Sequence, residues 1–260
     1  MRIVTWNVNS LNVRLERVTE WIETLRPDVL CLQETKLSND DFPHDAFASL
    51  GYESAHHGQG QWNGVAIVSR VGLDDVRPDF ADGREPDPDA RILWATCSGV
   101  RVASCYVPNG RALDDDHYTY KLDWLDRLAN DLDTNTSPTD DICVVGDFNI
   151  APDARDVYDS DSHAGSTHVS QPERDRLETL GEWGMADVFR DHHDAAELYS
   201  WWDYRDGNFH KRKGMRIDLI LGSPNVREHT ARVFIDRNAR KGSQPSDHAP
   251  VVADVLLPNN

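Results

Sequence analysis

Apolar residues recur along the chain in two periods, and the switches between them mark out its elements. Arg2-Ile3-Val4-Thr5-Trp6 reads as a short strand. From Val13 to Leu25 the positions Val13, Leu15, Val18, Trp21, Ile22 and Leu25 return at helical spacing until Pro27 stops them. Val29-Leu30-Cys31-Leu32 resumes as a strand, and others fit Val65 to Ser69, Ile217 to Leu221, Ala231 to Ile235 and Val251 to Leu257. Ile92 to Cys97 and Val100 to Val107 flank Ser98-Gly99 as a β-hairpin. Tyr118, Leu122, Leu125, Ala129 and Leu132 predict a second helix, closed by a polar loop around Asn135. A third is expected from Ser170, with Glu173 at capping-box spacing and Leu177 and Leu180 turned inward. The chain has 260 residues, no repeat at a fixed period and no dividing linker, which predicts one α/β domain over positions 1–260.

Composition narrows the class. The first residues lack the long apolar stretch of a signal peptide and no run is long enough to span a bilayer, so a cytoplasmic protein without membrane contact is expected. Cys31, Cys97, Cys105 and Cys143 lie in apolar strand-like segments without metal-ligand spacing, as buried reduced thiols would. A net charge of -18 runs against binding a polyanion, but it is unevenly spread. Acids gather in Asp74 to Asp89, Asp114 to Asp116 and Asp153 to Asp161. Arg205 to Arg216 carries Arg205, Lys211, Arg212, Lys213 and Arg216 against Asp206 alone, and Arg237, Arg240 and Lys241 form a second basic group. Such groups focus positive potential locally while the remaining surface repels phosphate.

Polar clusters sit against the ends of the apolar runs. Asn7 closes the first strand and Glu34 the second. Asp147 and Asn149 follow Ile142-Cys143-Val144-Val145, at the end of a buried strand where side chains are expected to reach solvent. Asp247 and His248 precede Val251 and so belong at the N-terminal end of their strand. Each cluster alone reads equally well as an ordinary turn, because Asp, Asn, Ser and Pro are turn residues. Four such strand ends in one chain point instead to metal-assisted phosphodiester chemistry, since Mg²⁺ prefers oxygen donors and keeps several of its waters.

The ordered set resembles the exodeoxyribonuclease III family of DNA-repair enzymes, the xth-type abasic-site endonucleases. Its segments are Thr5-Trp6-Asn7-Val8-Asn9, Leu32 to Lys36, Tyr106 to Gly110, Gly146 to Pro152, Ser200 to Arg205, Arg216-Ile217-Asp218 and Ser246-Asp247-His248. The resemblance implies a DNase I-like, four-layer αββα sandwich of two mixed sheets flanked by helices, with its site at one sheet edge. It implies hydrolysis of the phosphodiester 5′ to an abasic site to leave a 3′-hydroxyl, with 3′→5′ exonuclease and 3′-end-cleaning activity. The implied substrate is duplex DNA carrying abasic sites or 3′ ends, and a monomer is expected.

The resemblance also implies roles. Mg²⁺ or Mn²⁺ is expected on Glu34, with Asn7, Asp147, Asn149 and Asp247 in the candidate ligand set. Asp147 is the candidate to orient or deprotonate the attacking water, and Asn149 to hold a phosphate oxygen. His248 is a base if neutral and stabilises the pentacovalent phosphate if protonated, both roles standing open, with Asp218 on its other nitrogen. Tyr106 is the expected phosphate contact, with Asn109 and Arg111 on the backbone. Trp201, Trp202, Met215 and Ile217 are expected to line a pocket for a base-free deoxyribose, beside Lys211, Arg212, Lys213 and Arg216 as DNA contacts. Asn9 and Met215 stand where animal members carry an acid and an aromatic residue. Two alternatives stay open: a phosphoesterase acting on lipid or small-molecule esters, and a non-catalytic module that binds damaged DNA.

Overall fold

The computed structural model describes residues 1–257, so the last three positions of the expected domain lie outside it. In chain order the strands are β1 (Arg2–Asn7), β2 (Val29–Gln33), β3 (Glu53–His57), β4 (Val65–Ser69), β5 (Asp74–Pro78), β6 (Ile92–Cys97), β7 (Val100–Tyr106), β8 (Ile142–Asp147), β9 (Ala186–Asp187), β10 (Asp218–Gly222), β11 (Thr230–Ile235) and β12 (Val251–Val255). The helices that cover them are α1 (Leu11–Leu25), α2 (His44–Ala48), α3 (Asp116–Asn135) and α4 (Gln171–Trp183). Two six-stranded sheets result, ordered β11-β12-β1-β2-β4-β3 and β5-β6-β7-β8-β10-β9. Each is mixed: β1 and β2 run parallel at the centre of the first, and β7 and β8 at the centre of the second.

Strand alternation builds the layers. Ile3, Cys31 and Ile67 of the first sheet meet Ala95, Val102, Val145 and Ile220 of the second in one apolar core between the sheets. The opposite faces, Val4, Trp6 and Leu30 on one side and Trp94, Ala103 and Val144 on the other, pack under α1 and α2 and under α3 and α4. Residues one apart face opposite ways in a strand, so near-continuous apolar runs mark strands covered on both sides. The four cysteines are all buried and free. Among the described residues no helix is long and apolar enough to cross a membrane.

Several sequence expectations shift. On α3 the inward face is Tyr118, Lys121, Trp124, Leu125, Leu128 and Leu132, while Leu122 and Ala129 sit on its flank, because a fully buried Lys121 takes a core position. The expected last strand stops at Val255. The acid-rich stretch from Asp74 contains strand β5, and Arg77 and Arg127 tie this region to α3 through Asp131 and Asp82. β3 and α2 were not expected, since Glu53-Ser54-Ala55-His56-His57 has no apolar alternation.

Candidate active site

Register brings the polar strand ends together. Asn7 lies opposite Gln33, and Tyr106 and Asp218 both lie opposite Asp147. β12 starts beside Thr5, near the C-terminal end of β1. The site therefore opens at one end of both sheets, over their central parallel strands, rather than at a lateral edge. Gly146 makes the approach possible: a Cβ there would stand 1.9 Å from the Cys105 carbonyl oxygen. Asn9, Glu34, Lys36 and Asn149, at φ of 44°, 50°, 54° and 51°, turn the chain sharply just past the strands in the left-handed region that non-glycine residues seldom adopt.

The innermost group is a buried line of three. His248 Nδ1 lies 2.9 Å from Asp218 Oδ2, and its Nε2 lies 3.8 Å from Asp147 Oδ2. Ser200 Oγ donates to Asp218 Oδ2 at 2.6 Å and receives the backbone N–H of Ile217 and Asp218, which fixes the carboxylate. Burial works against charge on His248, but Asp218 and then Asp147 outweigh it and lift its pKa to about 10. Burial first, with Asp218 adding repulsion, lifts Asp147 to about 7 against the pull of His248. Asp147 and Asn149 are almost wholly enclosed, so they do not reach solvent as a strand end would suggest. Asp147 accepts from Asn149 N at 2.9 Å and from Asn7 Nδ2 at 2.9 Å.

Of the candidate metal ligands, Glu34 keeps a partly exposed carboxylate, as does Asp247, whereas Asn7, Asp147 and Asn149 are buried. Glu34 Oε1 receives Asn7 Nδ2 at 2.9 Å and its Oε2 lies 3.0 Å from Lys36 Nζ, so the carboxylate already faces a cation. An oxygen donor set beside Asp147 suits a hard divalent ion. Asn7, in contrast, turns its Nδ2 toward both carboxylates and gives its Oδ1 to Asn9 N, so it orients the acids rather than offering them a shared ligand oxygen. Asp247 gives its two oxygens to Asn9 Nδ2 (3.0 Å) and Trp201 Nε1 (3.1 Å). Asp147, Asp218 and His248 have donor atoms within 4.8 Å of one another, and the imidazole lies between the two acids, 2.9 Å from Asp218 and 3.8 Å from Asp147.

Asn149 Oδ1 receives Asn109 Nδ2 at 3.1 Å and lies 3.1 Å from His168 Nε2, while its Nδ2 donates to the Val107 carbonyl at 3.0 Å. Burial first, then Lys121, pushes His168 down to about 3, so its ring is neutral. Tyr106 is held well above the usual phenol range by burial, then by Glu34 and Asp147, and Arg91 lies over its ring. Arg111 is exposed at the rim. Sequence reading missed Ser200, His168 and Lys121; a hydroxyl, a loop histidine and a helical lysine carry no spacing signal of their own.

The loop from Tyr199 to Ile217 divides into two parts. Trp201 pairs with Met215 through both backbone hydrogen bonds, and its half-buried ring packs on the apolar cluster of Met215, Ile217, Ala151 and Val157, 6.5 Å from the His248 ring. Gly214 permits this, since a Cβ there would lie 2.5 Å from the Trp201 carbonyl oxygen. Trp202 is buried elsewhere: its ring packs edge-on against Phe209 with Arg237 and Arg240 stacked over it, which removes it from the expected pocket. Arg216 also departs from expectation. It is fully enclosed and bound to Asp156 at 2.7 Å and Asp187 at 2.6 Å, so it cannot touch a DNA backbone. Lys211, Arg212 and Lys213 do stand exposed. Arg240, buried, bonds the Ser246 carbonyl and so secures the Asp247 turn.

The family model described as endonuclease/exonuclease/phosphatase matches residues 4–248. Exodeoxyribonuclease III of Haemophilus influenzae is 30% identical over 98% of this chain and 99% of its own. An AP endonuclease structure from Archaeoglobus fulgidus superposes with a TM-score of 0.95 at 34% identity, covering 99% of this chain and 100% of the other. The 3′ phosphatase NExo from Neisseria, bound to product DNA hairpin, gives 0.94 at 40% identity over 99% and 100%.

Proposed function

The chain belongs to the endonuclease/exonuclease/phosphatase family, and from that premise we propose how its site cuts DNA. The protein is a hydrolytic DNA-repair nuclease. It attacks the phosphodiester 5′ to an abasic site, the water oxygen bonding to phosphorus as the 3′ oxygen leaves to become a 3′-hydroxyl. The observation that carries the reading is the line Asp218–His248–Asp147, set beside Glu34 at the joined strand ends.

That line supports a division of labour. A histidine lifted to about 10 is an imidazolium at neutral pH, so it donates to a phosphate oxygen and cannot serve as the base. A carboxylate raised to about 7 takes a water proton far more readily than an ordinary aspartate, which makes Asp147 the base. Asn7 Nδ2 and Asn149 N aim that carboxylate. Asn149 Nδ2 has a second hydrogen, beyond its bond to Val107, that is available to the phosphate, and Tyr106, kept neutral, would turn its hydroxyl from Glu34 to the same group. Bound Mg²⁺ or Mn²⁺ supplies positive charge against the phosphate and the departing oxygen. Glu34 would hold it, with Lys36 moving aside. Trp201, backed by Met215 and Ile217, offers an apolar face to the base-free sugar, and exposed Lys211, Arg212 and Lys213 meet the backbone. Buried free thiols fit a reducing compartment, which supports a cytoplasmic site of action.

A second activity, on 3′ ends, is favoured by the 40% identity to NExo, above the 34% to the AP endonuclease. Asp147→Asn separates catalysis from binding. It should hold abasic duplex as the parent does while cleavage collapses; turnover equal to the parent would favour a module that only binds DNA.

A further inference from the structure

Behind the face that carries Asn149 lies a charged pair that the chemistry above does not use. Lys121 projects from the middle of α3, and Glu173 from the first turn of α4. Both side chains are fully buried and joined to each other. Helical lysines and glutamates ordinarily remain in water, and an ion pair taken out of it is costly unless its remaining donors and acceptors are met. Here they are met, and by the backbone of the loops that form the site. Lys121 Nζ donates to the Asn149 carbonyl at 2.7 Å and reaches the Asn109 carbonyl at 3.4 Å. Glu173 Oε1 receives His168 N and Thr167 Oγ1, each at 2.9 Å, and Oε2 receives Ser170 N at 3.0 Å. Thr167 Oγ1 in turn lies 2.9 Å from the Asn109 carbonyl.

Three loops thus meet on one pair of charges, and two of them send a side chain to one atom of the third. Asn109 and His168 both reach Asn149 Oδ1. Asn149 and His168 stand at φ of 51° and 77°, a backbone that relaxes unless its surroundings hold it. The carbonyl that Lys121 grips belongs to Asn149 itself, so losing that grip frees the residue whose N–H aims Asp147.

We propose that Lys121 and Glu173 are positioning residues, which lock the Asn109, Asn149 and His168 loops into the geometry that presents the Asn149 amide to the scissile phosphate. The inference rests on the reading of Asn149 as a phosphate-holding residue. Its strength comes from specificity of contact: among the described residues the hydrogen bonds of the pair go to the Asn109, Asn149 and Thr167–Ser170 loops, and its ammonium ends on the carbonyl of a site residue.

The test exchanges the pair as a unit, Lys121→Met with Glu173→Gln, which removes both charges and keeps their volumes. Steady-state kinetics on abasic duplex should show kcat lower by about tenfold with KM unchanged, since a loosened phosphate contact is missed in the transition state. The same exchange made in Asn149→Ala should lower kcat no further, because residues acting through one another are not additive. An unchanged kcat in the first background, or an equal further loss in the second, overturns the inference. If Asn149→Ala alone leaves kcat intact, the underlying reading of Asn149 fails with it, and that outcome is distinct from the other two. Thr167→Val keeps both charges and removes only one hydroxyl from the same cluster; it guards against a paired variant that does not fold. It should show the same split, with kcat down about two- to threefold and KM unchanged, whereas a kcat equal to the parent's would count against the proposal.

Discussion

The strand ends and the long loop from Tyr199 to Ile217 are built from different materials, and the contrast explains what each does. At the strand ends, Asn7, Asp147 and Asp218 are placed by sheet register, and their side chains are locked by mutual hydrogen bonds in near-complete burial. In the loop, the backbone is pinned at its two ends, Trp201 to Met215, Trp202 to Asp247 and Arg216 to Asp156, and the charged residues from Arg205 to Lys213 stand in solvent. A rigid, desolvated end suits electrostatic work on a transition state, where fixed charges cost no reorganisation. The loop suits recognition of a long, variable polymer, where exposed positive charge suffices.

If that contrast is sound, substitutions should separate by region. The largest effect falls on Asp147→Asn, which should lower kcat by about 10³-fold while the dissociation constant for abasic duplex changes little, as rapid quench and anisotropy would show. Arg216→Met breaks the contrast from within the loop, because that arginine is core. It leaves Asp187 without its arginine and Asp156 with Arg190 alone, and should cost about 3–5 kcal/mol in chemical denaturation. Lys211→Ala with Lys213→Ala should do the reverse, leaving the denaturation midpoint in place and reducing the salt slope of DNA binding by about 2.

Asp218→Asn sharpens the assignment of His248. In EDTA, the parent's imidazolium should persist through neutral pH and titrate near 10, as NMR of the ring would report. Since the folded value lies above the ordinary 6.5, the stabilisation from this charge is complete below about 6.5 and fades as pH climbs toward 10. Removing Asp218 should pull the titration back toward 6.5 and shrink that window. Smallest is Trp201→Ala, which should raise KM for abasic duplex about tenfold while the metal concentration for half activity stays put. Equal loss in both would mark Trp201 as a packing residue.

The same contrast governs what the sequence disclosed. Strands β1, β2, β7, β8 and β12 carry near-continuous apolar runs because both their faces are covered, so their polar ends stood out, and Glu34, Asp147 and His248 could be read from order alone. Burial of charge was not legible. Arg216 reads like its neighbours Lys211 to Lys213, and only the placement of Asp156 and Asp187, far away in sequence, turns it inward. Trp202 and Trp201 are adjacent, yet Arg237 and Phe209 draw one into the core while the pairing with Met215 keeps the other beside His248. Lys121 looked like the polar side of a helical stripe for the same reason: its partner lies in another helix. β5 hid within an acid-rich stretch, because its Asp74 and Asp75 stand exposed and the Asp131 that holds its Arg77 lies in α3.

The central claim, a metal-dependent nuclease working from the joined strand ends, is tested most directly by single-turnover cleavage. The substrate is a 5′-labelled duplex with one tetrahydrofuran abasic analogue, run in Mg²⁺ and in EDTA beside an undamaged 3′-recessed duplex. The account predicts incision at the analogue in Mg²⁺, none in EDTA, and a product ending in a 3′-hydroxyl. Undiminished cutting in EDTA, or no cutting of either duplex by folded protein in Mg²⁺, would contradict it.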